Sequence, residues 1–168
     1  MHSALDPVTA ILRAYAQAIL DQDAVALAAL YHPDVRVFDA WDHWQIRGRA
    51  AVQHIAGSWF QTLGADRVVV GFSKVQHHAG PSLATISALV TYTAVGPQGA
   101  RLRAQVNRIS LVLQQAPDGW RVVHEHTSVP VGFADKQAVG YGAAQEAQVR
   151  VENPNGSAGQ MADLSTQS

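Results

Sequence analysis

Residues 118–130 read DGWRVVHEHTSVP, and this stretch decides how the second half of the chain is interpreted. Its first two residues follow Pro117, and a Pro-Asp-Gly sequence is typical of the turn in a β-hairpin. The valine-rich run after the turn favours an extended strand, in which alternate side chains point to opposite faces. Strict alternation places five side chains on one face: Trp120, Val122, His124, His126 and Ser128.

Three more strand-like runs precede this stretch, at residues 66–78, 82–95 and 100–115. Short segments that contain Gly and Pro separate the runs, and connections this short make sequential strands antiparallel neighbours. The second half of the chain therefore predicts a sheet of long antiparallel strands.

The first half of the chain predicts helices and one short strand. Asp6 and Pro7 suit the N-cap and the first position of a helix, and apolar residues then recur at helical spacing. Asp23 precedes a second helical segment, residues 35–39 alternate like a strand, and Gly48 precedes a third helix. Helices followed by strands are typical of an α+β fold, in which the helices cover one face of a curved antiparallel sheet.

Composition excludes several classes of protein. The 168 residues carry 12 Lys and Arg against 13 Asp and Glu, so the chain lacks the excess positive charge of a nucleic-acid-binding protein. The absence of cysteine excludes disulfides, thiolate metal sites and thiol nucleophiles. No apolar run is long enough to span a membrane, and the N-terminus lacks the pattern of a signal peptide. We therefore expect a cytoplasmic protein without membrane contact.

The sequence divides into a folded domain at residues 1–131 and a C-terminal extension at residues 132–168. The extension is rich in Gly, Gln and Ala, and its large apolar residues are sparse and follow no period. Such a composition cannot bury enough apolar surface to offset the entropy lost on ordering. We expect the extension to be largely disordered after about residue 150.

The order of these elements resembles the nuclear transport factor 2-like (NTF2-like) superfamily, in its SnoaL-like and ketosteroid-isomerase-like branch. The resemblance is carried by residues 23–39 (DAVALAALYHPDVRVFD), 48–60 (GRAAVQHIAGSWF) and 118–130. It implies a cone-shaped, cystatin-like fold, in which a curved sheet wraps around roughly three helices. One deep apolar pocket lies between the sheet and the helices. It also implies a homodimer that packs through the outer face of the sheet, and a small-molecule ligand in the pocket.

His124, His126 and Ser128 form the first candidate constellation, because the predicted alternation sends all three into the pocket. A neutral imidazole such as that of His126 can accept a proton near neutral pH, and the Ser128 hydroxyl can orient it. Alternatively, these side chains form hydrogen bonds across the sheet or lie in a dimer interface.

The same two histidines could share a metal ion with a third ligand from Asp39, His43 or His54, but no motif with metal-ligand spacing supports such a site. We therefore predict neither a metal nor another cofactor. The run HEHTS is also similar to the HHHSS motif of the iota-class carbonic anhydrases, with Glu125 in place of the middle histidine. This similarity gives a weaker alternative function.

Tyr15 and Asp39 form the second candidate constellation. Their spacing resembles that in ketosteroid isomerase, which implies that Tyr15 donates a hydrogen bond to an oxyanion and that Asp39 moves protons. That enzyme also uses a protonated carboxylic acid on a later strand, whereas this chain has no Asp or Glu at residues 67–117. We therefore do not expect steroid isomerisation by that device.

Asn107 and Arg108 occupy the neighbourhood of the missing acid, and Asn107 is a candidate pocket residue. Arg108 lies in an apolar strand, where a buried guanidinium needs an anionic partner, and Asp39 is the natural one. We predict that Asp39, Arg108 and His126 converge in the pocket. Alternatively, Arg108 binds a substrate carboxylate or lies on the outer face of the sheet.

Aromatic side chains complete the predicted pocket. Trp41 and His43 lie in the loop at residues 40–47, which we interpret as a lid. Trp59 and Tyr92 supply further lining, although aromatic residues such as Trp59 also commonly fill a core.

Two functions from different classes fit these residues. The first is a cofactor-independent acid–base enzyme of isomerase, cyclase or dehydratase type, acting on a small apolar organic substrate. In that enzyme His126 is the acid or base and Asp39 orients it. Three further side chains donate hydrogen bonds: Tyr15, Arg108 and Ser128. The second function is a non-catalytic ligand-binding or oligomerisation module, with Glu125 and Thr127 at a subunit interface.

Overall fold

The computed structural model describes residues 6–142 of the chain. Three helices and six strands follow one another in this order: α1 (Pro7–Leu20), α2 (Ala24–Ala29), β1 (Tyr31–Phe38), β2 (Ile46–Arg47), α3 (Arg49–Leu63), β3 (Arg67–Ala79), β4 (Leu83–Val95), β5 (Arg101–Ala116) and β6 (Gly119–Ser128). The predicted α+β fold is confirmed, with the long strands close to their predicted bounds.

The helices begin where their capping residues predict. The Asp6 side chain accepts a hydrogen bond from the backbone N–H of Thr9, and Pro7 is the first residue of α1. Before α3, Gly48 has a φ of 84°, and a Cβ atom there would lie 3.3 Å from the backbone oxygen of Pro33. Glycine suits this position because its positive φ would strain any other residue and because a Cβ atom would crowd the backbone of β1.

The six strands form one curved sheet in the order β2-β1-β6-β5-β4-β3. Strands β3 to β6 are sequential antiparallel neighbours, as predicted. The sheet departs from the expected antiparallel arrangement in one pair, because β1 runs parallel to β6. These two strands are distant in sequence, so no hairpin turn fixes their relative direction. Because the two strands run parallel, their C-terminal ends lie side by side, with Phe38 paired to His126.

The helices pack against one face of the sheet, which we call the inner face. The core lies between them, and its large side chains at 1% exposure or less include Ile19, Val35, Val90, Ile109, Leu111, Leu113 and Val122. On the opposite, outer face, Leu89, Val106 and Val112 are half-buried. The homodimer expected through this face stays a prediction.

A β-bulge in β6 decides which side chains face inward. Leu113 of β5 pairs with Val122, but the preceding residue of β5, Val112, pairs with His124. Val123 is therefore an extra residue, and side chains after it exchange faces relative to strict alternation. The inner face of β6 carries Val122 and then Glu125 and Thr127, which are all buried.

The C-terminal extension is described only as far as residue 142. Val131 and Ala138 form an isolated antiparallel bridge, and the backbone N–H of Val139 donates to the carbonyl of Pro130. The disorder predicted after about residue 150 lies outside the described residues. Within residues 6–142, no helix is both long and apolar enough to cross a membrane.

Candidate active site

A cavity of about 580 Å³ lies between the inner face of the sheet and the three helices. Aliphatic side chains such as Ile19, Val37 and Ile55 form much of its wall. Polar side chains from the sheet and α1 also line it: Tyr15, Tyr31, Asp39, Tyr92, Gln105, Asn107, Glu125 and Thr127. The cavity therefore suits an apolar molecule that carries a few polar groups.

Asp39 is held in place by Thr127 at the end of β1. The Thr127 hydroxyl donates to Oδ1 of Asp39 over 2.9 Å, and the same hydroxyl oxygen accepts the backbone N–H of Ala40 over 3.0 Å. Thr127 is only 4% exposed, so its hydroxyl depends on these two partners. The arrangement fixes one oxygen of the Asp39 carboxylate.

Glu125 lies deeper, on the inner face of β6 between β1 and β5. It is paired with Val37 on one side and Leu111 on the other, which explains why its side chain is only 6% exposed. The Tyr31 hydroxyl donates to Oε2 of Glu125 over 2.5 Å. Burial raises the pKa of Glu125, the Tyr31 hydrogen bond lowers it, and the negative charge of Asp39 raises it; together they bring the pKa to about 7.

Tyr15 of α1 and Tyr92 of β4 form a hydroxyl pair on the cavity wall. Their hydroxyl oxygens are 2.8 Å apart, so one hydroxyl donates to the other. Burial, together with the charge of Glu125, raises the pKa of both tyrosines well above the ordinary value. Both hydroxyls therefore stay neutral, and the proton not used within the pair can be donated to a ligand.

Comparison with known families agrees with this architecture. The model of the SnoaL-like domain family matches residues 8–132. The chain belongs to the SnoaL-like domain family. No curated protein matches its sequence.

Solved structures share the fold of this SnoaL-like domain. A protein of unknown function from Pseudomonas putida, described as nuclear transport factor 2-like, is 22% identical with a TM-score of 0.69, covering 79% of this chain and 91% of its own. A relative with a cystatin-like fold from Novosphingobium aromaticivorans is 20% identical with a TM-score of 0.65, covering 77% and 84%. A candidate dehydratase from Streptomyces avermitilis is 16% identical with a TM-score of 0.63, covering 75% and 95%. At these identities the similarity establishes the fold and no activity.

Seven residues predicted for the pocket do line the cavity of the SnoaL-like domain: Tyr15, Asp39, Trp41, His43, Trp59, Tyr92 and Asn107. Their catalytic or binding roles stay predictions. Trp41 is 52% exposed at the cavity wall, whereas Trp44 of the same loop is 97% exposed.

The predicted convergence of Asp39, Arg108 and His126 is wrong. Arg108 is exposed on the outer face, where its Nε atom donates to the Ser128 hydroxyl over 3.1 Å. The ring of His126 lies on the outer face against Phe38, with centroids 5.8 Å apart. Arg108 faces outward because side chains of β5 alternate and its neighbour Ile109 faces inward. His126 faces outward because the bulge at Val123 shifts the alternation of β6 by one residue.

His124 and Ser128 also lie on the outer face, which corrects their predicted place in the pocket. The Nδ1 atom of His124 is 2.9 Å from the backbone oxygen of Arg36. In their place the bulge brings in Glu125 and Thr127, which the non-catalytic alternative places at a subunit interface. Tyr31 was missed as well, because nothing local distinguishes a tyrosine that begins a strand from one that ends a helix.

A metal centre finds no support within residues 6–142, since no group of three His, Asp or Glu side chains there could hold an ion. On the outer face, the rings of His124 and His126 both contact the ring of Phe38. Their ring contacts are therefore with an aromatic side chain and not with a carboxylate. Besides Asp39, Glu125 and the tyrosine hydroxyls, the cavity wall carries the carboxyl group of Asp42 and the imidazole of His43.

Proposed function

We propose that this SnoaL-like domain is an acid–base enzyme that moves protons on a small, largely apolar carbonyl compound without a cofactor, as isomerases and dehydratases do. The observation that carries this proposal is the placement of two carboxyl groups, those of Asp39 and Glu125, on one cavity of about 580 Å³. Pairs of carboxyl groups in different environments commonly divide the roles of acid and base.

Asp39 is the base in this scheme. Thr127 donates to Oδ1, so that oxygen is occupied and the carboxylate is oriented. The second oxygen is free to take a proton from the carbon next to the substrate carbonyl. As the C–H bond breaks, its electron pair forms a carbon–carbon double bond and negative charge develops on the carbonyl oxygen.

Glu125 is the acid in this scheme. Oε2 accepts the Tyr31 hydrogen bond, so a proton on the carboxyl group occupies Oε1 and can be donated. With a pKa of about 7, Glu125 is protonated in a substantial fraction of molecules at neutral pH. A donor that matches the working pH in this way is efficient in both directions of proton transfer.

The tyrosine pair stabilises the developing charge. Tyr15 and Tyr92 are neutral donors within the cavity wall, and hydrogen bonds to an oxyanion strengthen as its charge grows. Return of the proton to a different carbon completes an isomerisation. Departure of a hydroxide that takes its proton from Glu125 releases water and completes a dehydration. The candidate dehydratase from Streptomyces avermitilis is consistent with the second course at the level of fold alone.

Deuterium exchange tests this proposal without knowledge of the natural substrate. A panel of bicyclic ketones, beginning with 2-tetralone, is incubated with the protein in deuterium oxide, and loss of the proton signals beside the carbonyl is followed by NMR. We expect the wild-type chain to accelerate exchange and Asp39→Asn to reduce the rate by about 100-fold. Glu125→Gln should also slow it, whereas His126→Asn on the outer face should not.

Two results would overturn the proposal. One is an absence of acceleration with every ketone of the panel, and the other is an Asp39→Asn variant as fast as the wild type. Saturable binding of the ketones without exchange would favour the non-catalytic ligand-binding module instead.

A further inference from the structure

The inner face of β5 changes character along its length. Ile109 and Leu111 are buried in the core, but the preceding inward residues are polar: Arg103, Gln105 and Asn107. All three line the cavity, and each is two residues from the next, as side chains on one face of a strand must be. A polar stripe therefore leads along β5 from the core towards the start of the strand.

The orientation of the Asn107 amide follows from its neighbours. The Nε2 atom of Gln105 donates to the backbone oxygen of Val106 over 3.1 Å and to Oδ1 of Asn107 over 3.2 Å. A backbone carbonyl can only accept, so Gln105 must present its nitrogen on this side. Asn107 must then present its oxygen to Gln105, which directs its NH₂ group elsewhere.

This NH₂ group has no partner among the described residues, although Asn107 is only 3% exposed. Within residues 6–142 the enclosed side-chain atom without a partner is Nε of Arg121, so the Asn107 nitrogen is accessible from the cavity. A ligand that covers this donor without offering it an acceptor would bind less well. Because Asn107 lines the cavity, a ligand atom that accepts hydrogen bonds would satisfy it.

Arg103 supplies a positive charge at the outer end of the same stripe. Its side chain is exposed and lines the cavity, and within residues 6–142 the only ion pair joins Arg121 to Asp118. A guanidinium without an acidic partner is suited to a carboxylate, which it can bind through two parallel hydrogen bonds.

We propose that Asn107 and Arg103 form a subsite for the carboxylate of an organic-acid substrate. The proposal deepens the proposed function and rests on it, since the same molecule presents its reacting carbonyl to Asp39 and Glu125. Charge fixes the direction of binding. A carboxylate beside Asp39 would be repelled, so the anionic end lies at Arg103 and the neutral, reacting end lies inward.

Two fluorescent probes that differ only in a carboxylate test the subsite: 2-naphthol and 6-hydroxy-2-naphthoic acid. Binding of each to the full 168-residue chain is measured by fluorescence titration. We expect the wild type to bind the acid more tightly than the naphthol. Arg103→Gln should weaken binding of the acid about tenfold and change binding of the naphthol by less than about twofold.

Arg108→Gln is the matched control, because it removes the same charge from the same strand on the opposite face. It should leave the affinity for both probes unchanged. Asn107→Leu has a similar volume but no hydrogen-bond donors, so it should weaken binding of the naphthoic acid and not of the naphthol. If this buried variant does not fold, the result for Arg103→Gln decides whether the subsite exists.

The subsite would be overturned if Arg103→Gln and Arg108→Gln weakened binding of the naphthoic acid equally. It would also be overturned if Arg103→Gln still preferred the naphthoic acid over the naphthol as strongly as the wild type does. In either case, retained naphthol binding and retained ketone exchange would leave the proposed function standing. Failure of the wild-type chain to bind either probe would overturn the subsite, and the proposed function would then be decided by ketone exchange alone.

Discussion

The hydroxyl of Tyr31 donates a 2.5 Å hydrogen bond to Oε2 of Glu125, and both side chains are buried on the inner face of the sheet. This hydrogen bond favours the ionised form of Glu125, whereas burial and the charge of Asp39 favour the neutral form. Burial dominates, so the pKa of Glu125 rises to about 7. The fold thereby places a carboxyl group that titrates near neutral pH on the wall of a cavity.

Glu125 makes stability depend on pH. Folding raises the pKa of Glu125 from 4.5 to about 7. At a pH between these two values, the chain therefore takes up a proton when it folds. The stability conferred by neutral Glu125 is present below pH 4.5 and is lost as the pH rises through about 7, by roughly 3 kcal/mol in total. Glu125→Gln stays neutral and should flatten this part of the profile in urea unfolding. Replacement of an exposed carboxyl, Asp34→Asn, should keep the slope; equal slopes in the wild type and Glu125→Gln would disprove the assignment.

Thr127 is expected to position Asp39. Thr127→Val preserves shape but leaves the Ala40 N–H without its acceptor and Asp39 without its donor. The free energy of unfolding should fall by about 1–3 kcal/mol, and ketone exchange should slow. Thr127→Ser keeps the hydroxyl and should recover the exchange rate even where some packing is lost. An exchange rate that follows stability alone in both variants would assign Thr127 a purely structural role.

The outer-face histidine and arginine should be dispensable. His126→Ala and Arg108→Ala remove side chains that lie outside the cavity, so each should change the free energy of unfolding by less than about 0.5 kcal/mol. Ketone exchange should be unaffected in both. A large loss of exchange in either variant would show that the assignment of faces in β5 and β6 is wrong.

The order and type of the elements were predictable from sequence, because each depends on local signals. Asp6 and Pro7 mark the start of α1, and residues 117–119 mark the hairpin between β5 and β6. The structure shows a period-two pattern in β5, with Ile109 buried and its neighbour Arg108 exposed. The inference that a buried Arg108 pairs with Asp39 contradicts that pattern and is wrong.

The bulge in β6 could not be predicted from the chain. Val122 and Val123 are equally suited to either face, and only the register with β5 shows which of them is extra. One inserted residue moved His126 out of the cavity and Glu125 into it. The region around β5 lacks the carboxylic acid that ketosteroid isomerase carries, and β6 supplies one through Glu125. Strict alternation along β6 predicts that Glu125 faces away from the pocket.

The titration of Glu125 itself tests the central claim most directly. The chain has three glutamates, at positions 125, 146 and 152, so carbon-13 labelling of glutamate side chains gives a simple NMR spectrum in which Glu125→Gln identifies the resonance. We predict a pKa of about 7, lowered in Asp39→Asn because a neighbouring negative charge is removed, and raised in Tyr31→Phe because the opposing hydrogen bond is lost. Titration near the ordinary value of 4.5 in the wild type, with no response to Asp39→Asn, would contradict the account.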